Sequence, residues 1–331
     1  MRIAQYQHAP RVADRFEAAS DRTAQHKIIF IDHIFLVVNQ YCFDSAVLFI
    51  NNQPLRHEGN QMNQKNKGIA LVTGASSGIG LVTAKSLERA GYRVFGTSRK
   101  QVASPSGVAM LVCDVTDEAS VKNVIDEVVK QAGRIDLVVN NAGVGLLGGA
   151  EESSIGQAQR LFDVNVFGVA RVINAVLPVM REQKSGRIIN MSSILGLIPS
   201  PFNAYYASTK HAIEGYTESL DHEVRCFGIR VVLVQPGVTR TAFEENLTRA
   251  DRLLPTYAQD RSRSEGLMRK WVETGDDPQV VADTVVKAAT ATKPSLRYPA
   301  GKQSSQVSML RRFLPRAVFD KMMRKFNEFP A

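Results

Sequence analysis

The fold is decided by one stretch of sequence, Thr73-Gly74-Ala75-Ser76-Ser77-Gly78-Ile79-Gly80. It ends a short apolar run at 69–73, which predicts a buried strand, and it opens a segment at 79–90 whose apolar residues recur at helical spacing. Glycines between a strand and a helix permit a tight turn and bring a pyrophosphate close to backbone N–H groups. The helix N-terminus adds unpaired donors and a partial positive charge. The stretch therefore predicts a dinucleotide phosphate site, with contacts from Gly74, Ser76, Ser77, Gly78, Ile79 and Gly80.

Apolar runs and helical patterns alternate from this turn towards the C-terminus. Further strands are predicted at 92–97, 109–112, 135–140, 187–191, 229–234 and 296–298. Helices are predicted at 117–132, 155–163, 166–181 and 205–226, and a last one begins at Asp277-Pro278 by N-cap and N1 preferences. Strands that alternate with helices indicate βαβ units and a mostly parallel sheet covered on both faces. Right-handed crossovers then give a doubly wound α/β sheet of the Rossmann type.

The residues after the second and third predicted strands indicate which dinucleotide binds. An acidic residue after the second strand would bond the ribose hydroxyls of NAD, but this chain has Ser98, Arg99 and Lys100 there. The planar guanidinium of Arg99 can pair with a 2′-phosphate, which favours NADP(H) and leaves NAD(H) as the alternative. An exposed basic turn is the purely structural interpretation. Asp114, followed by Val115, is placed to reach the adenine edge, or else serves as a turn or capping aspartate.

Tyr206 and Lys210 are four residues apart on one predicted helix, so both side chains lie on the same face. An ammonium beside a phenol favours the phenolate, which predicts a lowered pKa for Tyr206. Such a tyrosine can exchange a proton with a carbinol or carbonyl oxygen near neutral pH. Ser193, just past the fifth strand, can hydrogen-bond the same oxygen, and Asn165 could hold a water beside Lys210.

Together these segments resemble the short-chain dehydrogenase/reductase family. They occur in the family's order and spacing over about residues 62–300, and an ordered set is far more specific than any single motif. The matching pieces are Thr73–Gly80, Asp114, Asn140-Asn141-Ala142-Gly143, Asn165, Ser192-Ser193, Tyr206 with Lys210, and Pro236-Gly237-Val238-Thr239-Arg240-Thr241.

The resemblance implies hydride transfer between a nicotinamide and a carbinol or carbonyl carbon. It implies a catalytic tetrad of Asn165, Ser193, Tyr206 and Lys210. In that tetrad Tyr206 is the general acid/base, Ser193 positions the substrate oxygen, and Lys210 binds the nicotinamide ribose and tunes the tyrosine. Further implied cofactor contacts are Asn141, Ala142, Gly143, Pro236, Gly237, Val238 and Thr241. The family also implies a homo-oligomer. A non-catalytic dinucleotide sensor on the same fold is the alternative, which the complete tetrad disfavours.

The C-terminal part is where we expect substrate choice to be made. Residues 242–274 mix apolar and charged side chains, and the family resemblance implies a helical substrate lid there. Residues 305–327 are amphipathic and basic, with Pro315 splitting them. One interpretation is a helix hairpin that closes an apolar pocket, and the other is peripheral attachment to an anionic membrane. Either indicates a lipophilic alcohol or ketone. The segment from Arg297 into the tail resembles the hydroxysteroid-dehydrogenase-like branch.

Residues 1–61 lack this order, and we expect a poorly ordered extension before a single domain at 62–331. Their apolar run, Ile28 to Ile50, contains two aspartates that would each cost about 3 kcal/mol in a membrane, so an anchor is the weaker interpretation. The residues before Met62 back-translate to a purine-rich element a few bases ahead of an ATG. Our hypothesis is that Met62 is the start and that 1–61 is upstream sequence.

Composition and charge exclude several classes of protein. With 44% hydrophobic and 22% charged residues, collagen-like, disulfide-scaffold and disordered chains are excluded. The net charge of +9 lies after residue 61, and residues 292–331 alone carry nine basic and two acidic residues. No base-reading motif accompanies this charge, so we expect no nucleic-acid partner. Three scattered cysteines give neither a disulfide framework nor metal-ligand spacing, which favours a cytoplasmic protein without a metal. We expect Cys113 and Cys226 to be buried.

Overall fold

The central sheet has seven strands, all parallel, in a computed structural model that describes residues 67–104, 107–243 and 246–328. The strands of the chain are β1 (Gly68–Val72), β2 (Tyr92–Ser98), β3 (Val108–Val112), β4 (Leu137–Asn140), β5 (Leu146–Leu147), β6 (Gly186–Met191), β7 (Ile229–Pro236), β8 (Thr248–Arg249) and β9 (Arg297–Ala300). The sheet order is β3-β2-β1-β4-β6-β7-β9, while β5 and β8 form a separate two-stranded pair. The order reverses between β1 and β4, which creates the crevice where ligands bind in doubly wound sheets.

Helices cover both faces of this sheet. They are α1 (Gly78–Arg89), α2 (Glu118–Ala132), α3 (Ile155–Phe162), α4 (Gly168–Gln183), α5 (Ala204–Val224), α6 (Ala258–Glu273), α7 (Pro278–Thr290), α8 (Lys302–Phe313) and α9 (Arg316–Phe326). One apolar core packs α1 and α7 against the sheet, and a second packs α2, α4 and α5 against the opposite face. The predicted doubly wound Rossmann-type fold is therefore confirmed.

The strand sequences explain why they lie in the centre. All four residues of β4 are buried, as are the last six residues of β7. Strands of a parallel sheet are covered on both sides, so they carry continuous apolar runs instead of alternating ones. Helix caps follow the sequence as well. Asp117 accepts hydrogen bonds from Ala119 N and Ser120 N, and Asp277 caps α7 ahead of Pro278.

Helices α3 and α4 differ from the prediction of two separate helices. A π-helical turn, Asp163–Phe167, joins them into one continuous helical stretch, Ile155–Gln183. Among the described residues, this stretch alone has the length and the mean hydropathy, 1.4, of a membrane span. Buried residues of α4 such as Ile173 and Val176 belong to the core beneath the sheet, which accounts for part of the apolar sequence.

Of the remaining predictions, the structure confirms one, contradicts one and leaves others untested, and it adds one pair of strands that was not predicted. The short β5–β8 pair was not predicted, because two residues per strand carry no periodicity. Cys113 is buried as expected, but Cys226 is exposed, so that prediction is wrong. It lies in the single 3₁₀ turn that ends α5, where the chain faces solvent. Residues 242–274 contain β8 and α6, and their role as a lid stays a prediction. The predictions for 1–61 lie outside the described residues.

Candidate active site

Hydrogen bonds from the residues that follow the neighbouring strand β4 fix the glycine-rich turn after β1. The Thr73 hydroxyl accepts hydrogen bonds from Asn141 N and Ala142 N, both at 3.0 Å. In return the Asn141 side-chain amide donates to Thr73 O at 3.0 Å and to Gly74 O at 3.1 Å. The turn is thus fixed by side chains on both strands. Asn141 was predicted to line the cofactor, and the structure shows that its amide shapes the turn that would do so.

The turn leaves no space for side chains where a phosphate would approach. Gly74 has φ +65° and Gly78 has φ +52°, a left-handed region that favours glycine. A Cβ on Gly80 would lie 2.1 Å from Gly74 O, so only glycine fits there. Ser77 is the N-cap of α1, yet its side chain makes no capping hydrogen bond. The first-turn N–H groups and the exposed Ser76 and Ser77 hydroxyls are available, and the cradle fits a pyrophosphate.

The adenosine end of the predicted site brings Arg99 and Asp114 together. Asp114 Oδ1 accepts hydrogen bonds from Thr116 N at 2.9 Å and Thr116 Oγ1 at 2.8 Å. These bonds, helped by the nearby Arg99 guanidinium, hold the pKa of Asp114 below its usual value. Arg99 is exposed and forms no ion pair with any other described residue. Asp114 therefore makes the predicted turn, while Arg99 stays available for an anionic group. Val115 is buried against Gly168, and its carbonyl oxygen accepts a hydrogen bond from Arg171 Nη1 at 3.4 Å.

The nicotinamide end is formed by the loop after β7. Pro236 ends that strand, and Gly237 N donates to Ala300 O of β9 at 3.4 Å. Val238 N donates to Gln303 Oε1 at 3.4 Å, and Thr241 lies against Gly78 across the turn. The loop and the phosphate turn therefore meet at one end of the sheet. Gln303, in the first turn of α8, is a supporting residue that the sequence did not single out.

Ser193 and Tyr206 occupy the ends of neighbouring elements. Ser193 follows β6 and caps a short 3₁₀ turn, with its Oγ accepting from Leu195 N at 3.1 Å. Burial raises the pKa of the Tyr206 phenol, and a hydrogen bond with Ser193 opposes this rise. This direction is opposite to the predicted lowering. The phenol loses hydration in the packed site, whereas the Lys210 ammonium is directed to another partner. The Phe243 ring lies 6.0 Å from the Tyr206 ring and adds an apolar wall.

Lys210 is buried one turn along α5 from Tyr206. Its Nζ donates to Met191 O at 2.9 Å and lies 5.6 Å from the centre of the Tyr206 ring. Burial lowers the pKa of Lys210 to about 8, and the carboxylate of Glu214 opposes that shift. An ammonium with this pKa is partly deprotonated in mildly alkaline solution. Its charge is therefore sensitive to the neighbouring groups.

Asn165 lies in the π-helical turn and is buried. Its Oδ1 accepts from Val144 N at 2.9 Å, and its Nδ2 donates to Val144 O at 2.8 Å and to Thr209 Oγ1 at 3.3 Å. The amide thus clamps the chain just after Gly143, whose Cα faces Asn165 Oδ1. Both amide N–H donors are engaged, so the predicted water beside Lys210 would have to be held by other atoms. The four tetrad residues nonetheless converge on the ends of β4, β6 and α5.

A buried polar network behind Lys210 was missed by the sequence reasoning. Glu214 is one turn beyond Lys210 on α5 and is buried. It accepts from Gln235 Nε2 at 2.9 Å and from Arg297 Nε at 2.8 Å. The Ser304 hydroxyl donates to Gln235 O at 2.6 Å. A glutamate four residues after the lysine was a signal that could have been read, because i,i+4 pairs share a helix face.

Comparison with known proteins gives one consistent result. The short chain dehydrogenase family matches residues 68–252. The 3-ketodihydrosphingosine reductase of Bacteroides thetaiotaomicron is 38% identical over 70% of this chain and 87% of its own. Retinol dehydrogenase 8 of Bos taurus is 36% identical over 69% of this chain and 79% of its own. The crystal structure of a short-chain dehydrogenase from Streptomyces avermitilis, 33% identical, superposes with a TM-score of 0.67 over 80% of this chain and 96% of its own.

These likenesses agree with the geometry. The family match spans β1 to β8 and so includes the glycine turn and all four tetrad positions. The described residues contain no group of three or more His, Cys, Asp or Glu side chains that could hold a metal. From the parallel sheet, the fixed glycine turn and the converging tetrad, together with these relatives, we conclude that the chain belongs to the short-chain dehydrogenase family of oxidoreductases.

Proposed function

We propose that this chain is an NADP(H)-dependent oxidoreductase acting on the secondary alcohol or ketone group of a lipophilic compound. The observation that carries the proposal is the placement of Ser193, Tyr206 and Lys210 at one end of the sheet. The Ser193 hydroxyl is close enough to the Tyr206 phenol to lower its pKa, and the lysine ammonium lies 5.6 Å from the ring centre. Two hydroxyls and a cation at this spacing suit a carbonyl oxygen that gains a proton.

Each side chain of the site would have its own role in substrate binding or in proton transfer. Bound nicotinamide would supply or accept the hydride. The hydroxyls of Ser193 and Tyr206 would both hydrogen-bond the substrate oxygen and hold the carbon towards the cofactor. In reduction, Tyr206 would give its proton to that oxygen as the C–H bond forms. Because burial raises the pKa of Tyr206, the phenol keeps its proton until the oxygen becomes basic enough to take it. Lys210 would stabilise the resulting phenolate.

The preference for NADP(H) is supported by the turn after β2. Arg99 is exposed and free of ion pairs among the described residues, and no acidic residue stands beside it in the sequence. A guanidinium can hydrogen-bond a 2′-phosphate in two places, whereas the ribose of NAD offers it only hydroxyls. Asp114 lies nearby and would contact the adenine side.

A lipophilic substrate is supported by the apolar surroundings of the tetrad. Phe243 faces Tyr206, and Leu247 packs with Phe243 over Gly145. Beyond Ser193, Ile194 and Ile198 join a cluster with α9. The named relatives, a 3-ketodihydrosphingosine reductase and a retinol dehydrogenase, are consistent with this chemistry. The competing function is a sensor that binds the dinucleotide without turnover.

A substrate screen separates these functions. Purified full-length protein would be given NADPH or NADH with ketones matched in structure but increasing in alkyl chain length, while cofactor absorbance is followed. We expect turnover with NADPH that rises with chain length. Equal use of NADH would remove the cofactor preference, and a preference for short polar ketones would remove the lipophilic substrate. NADPH binding with no turnover of any ketone or alcohol would favour the sensor.

A further inference from the structure

Helices α8 and α9 form a two-helix segment in which each helix has two contrasting faces. The inner face packs on the residues that follow Ser193. Buried Phe319 and Met323 of α9 contact buried Ile194 and Ile198, and Val307 and Leu310 of α8 pack against the same cluster. Arg311 belongs to this side, since its Nε donates to Leu197 O at 3.2 Å. The two-helix segment therefore packs at the active-site end of the sheet.

The outer face carries large apolar side chains in solvent. We define it by Met309, Phe313 and Val318 with the cations Arg312, Lys321 and Lys325. The three apolar side chains are 58%, 73% and 53% exposed. Met309 and Phe313 are one turn apart on α8, and Val318, Lys321 and Lys325 share one side of α9. The opposite side of each helix contacts the same inner cluster, so these residues lie on the solvent side of their helices.

The positive charge of the outer face indicates which kind of partner binds it. Arg312 lies over the Phe313 ring, and neither Lys321 nor Lys325 forms an ion pair with any other described residue. A two-fold dimer through this face would bring its own cations together, because such an interface is self-complementary. An anionic lipid surface instead supplies counter-charges and an apolar layer at the depth that exposed side chains reach.

We propose that the outer face of the α8–α9 segment binds an anionic membrane surface, with Met309, Phe313 and Val318 entering the acyl boundary. The cations would lie at the headgroups. Because the inner face packs directly behind Ser193, attachment would hold the active-site end of the sheet against the lipid. A lipophilic ketone would then reach the tetrad from the bilayer. This last point rests on the proposed function, whereas the membrane contact itself does not.

Co-sedimentation of the full-length protein with vesicles tests the contact. We expect binding to phosphatidylcholine vesicles that contain phosphatidylglycerol, weaker binding to phosphatidylcholine alone, and loss of binding at high salt. Phe313→Ser should weaken partitioning roughly tenfold, and Lys321→Gln about fivefold. Ile155→Ser is the matched control, since Ile155 is 65% exposed on the first turn of α3. It should leave binding unchanged.

Far-UV circular dichroism and the thermal unfolding midpoint show whether each variant is folded, and because neither requires turnover, this result stays separate from the proposed function. Equal binding of wild type and Phe313→Ser would overturn the proposal, as would no preference for anionic vesicles. So would a concentration-dependent dimer in solution that Phe313→Ser abolishes, because that result assigns the face to a second copy.

Discussion

The Nζ atom of Lys210 donates a hydrogen bond to the carbonyl oxygen of Met191 at 2.9 Å. Met191 is the last residue of β6, and Ser193 follows two residues later. This bond therefore ties the lysine of α5 to the strand that carries the serine. The backbone at the end of the sheet therefore fixes the position of Lys210 relative to Ser193.

Glu214→Gln should shift the pH dependence of activity. Burial lowers the pKa of Lys210 to about 8, and the Glu214 carboxylate opposes the shift. Without that carboxylate the lysine pKa falls further, so the ammonium is lost at lower pH. We expect the alkaline limb of kcat/KM to move to lower pH. Glu218→Gln is the control, because Glu218 also pairs with Arg297 at 2.9 Å but is exposed. Equal pH profiles for both variants would exclude this role of Glu214.

Tyr206→Phe should remove the proton donor and leave the fold intact. We expect kcat for ketone reduction to fall roughly 100- to 10,000-fold, the range for loss of a general acid. The affinity for NADPH, measured by fluorescence titration, should change little. Tyr205→Phe, the adjacent residue about 100° round the helix, should keep nearly full activity. A Tyr206→Phe enzyme with wild-type turnover would contradict the assigned role.

Arg99→Gln should change the choice of dinucleotide. Loss of a charge-assisted hydrogen bond costs about 1.5–3 kcal/mol, so KM for NADPH should rise roughly tenfold to a hundredfold while KM for NADH stays constant. Arg93→Gln, near the start of β2, is the control, because the Arg93 side chain donates to Gln131 O at 3.1 Å instead. The assignment fails if the Arg99 variant weakens both cofactors equally.

Asp221→Asn should destabilise the protein in a pH-dependent way. The Asp221 carboxylate, 1% exposed, accepts from Arg230 Nε and from Val231 N, both at 2.9 Å, and pairs with Arg225. Burial alone raises the pKa of Asp221, but these partners outweigh it and lower the pKa. A lowered pKa means that the stabilisation is present above the unfolded value near 4 and is lost as pH falls.

We expect Asp221→Asn to cost about 3–5 kcal/mol in urea unfolding at pH 7, as for a broken buried pair, and less in acid. Asp126→Asn, which breaks the exposed Lys122 pair, should cost at most about 1 kcal/mol. A difference between the variants that stays constant from neutral to acid pH would count against a role for the Asp221 charge.

Much of the fold and site followed from local sequence patterns. The glycine turn, the apolar strands and the Tyr206–Lys210 spacing are each encoded within a few residues. The parts that were not predicted depend on contacts between distant segments. Glu214 meets Arg297 83 residues away, and Asn165 meets Val144 21 residues away. Periodicity does not report such pairs. It also does not report desolvation, which is why the direction of the Tyr206 pKa was predicted wrongly.

The π-helical turn at Asp163–Phe167 restricts the number of residues in this segment more strictly than it restricts their identity. A π-helical turn holds one residue more than the α-helical turn it replaces, so deletion of one residue next to Asn165 would close the segment into a regular α-helix. The Asn165 side chain would then point in a different direction, and the clamp on Val144 would be lost even though every side chain named in the tetrad remained in the sequence. Substitutions in this segment should therefore be tolerated more readily than a change of a single residue in its length.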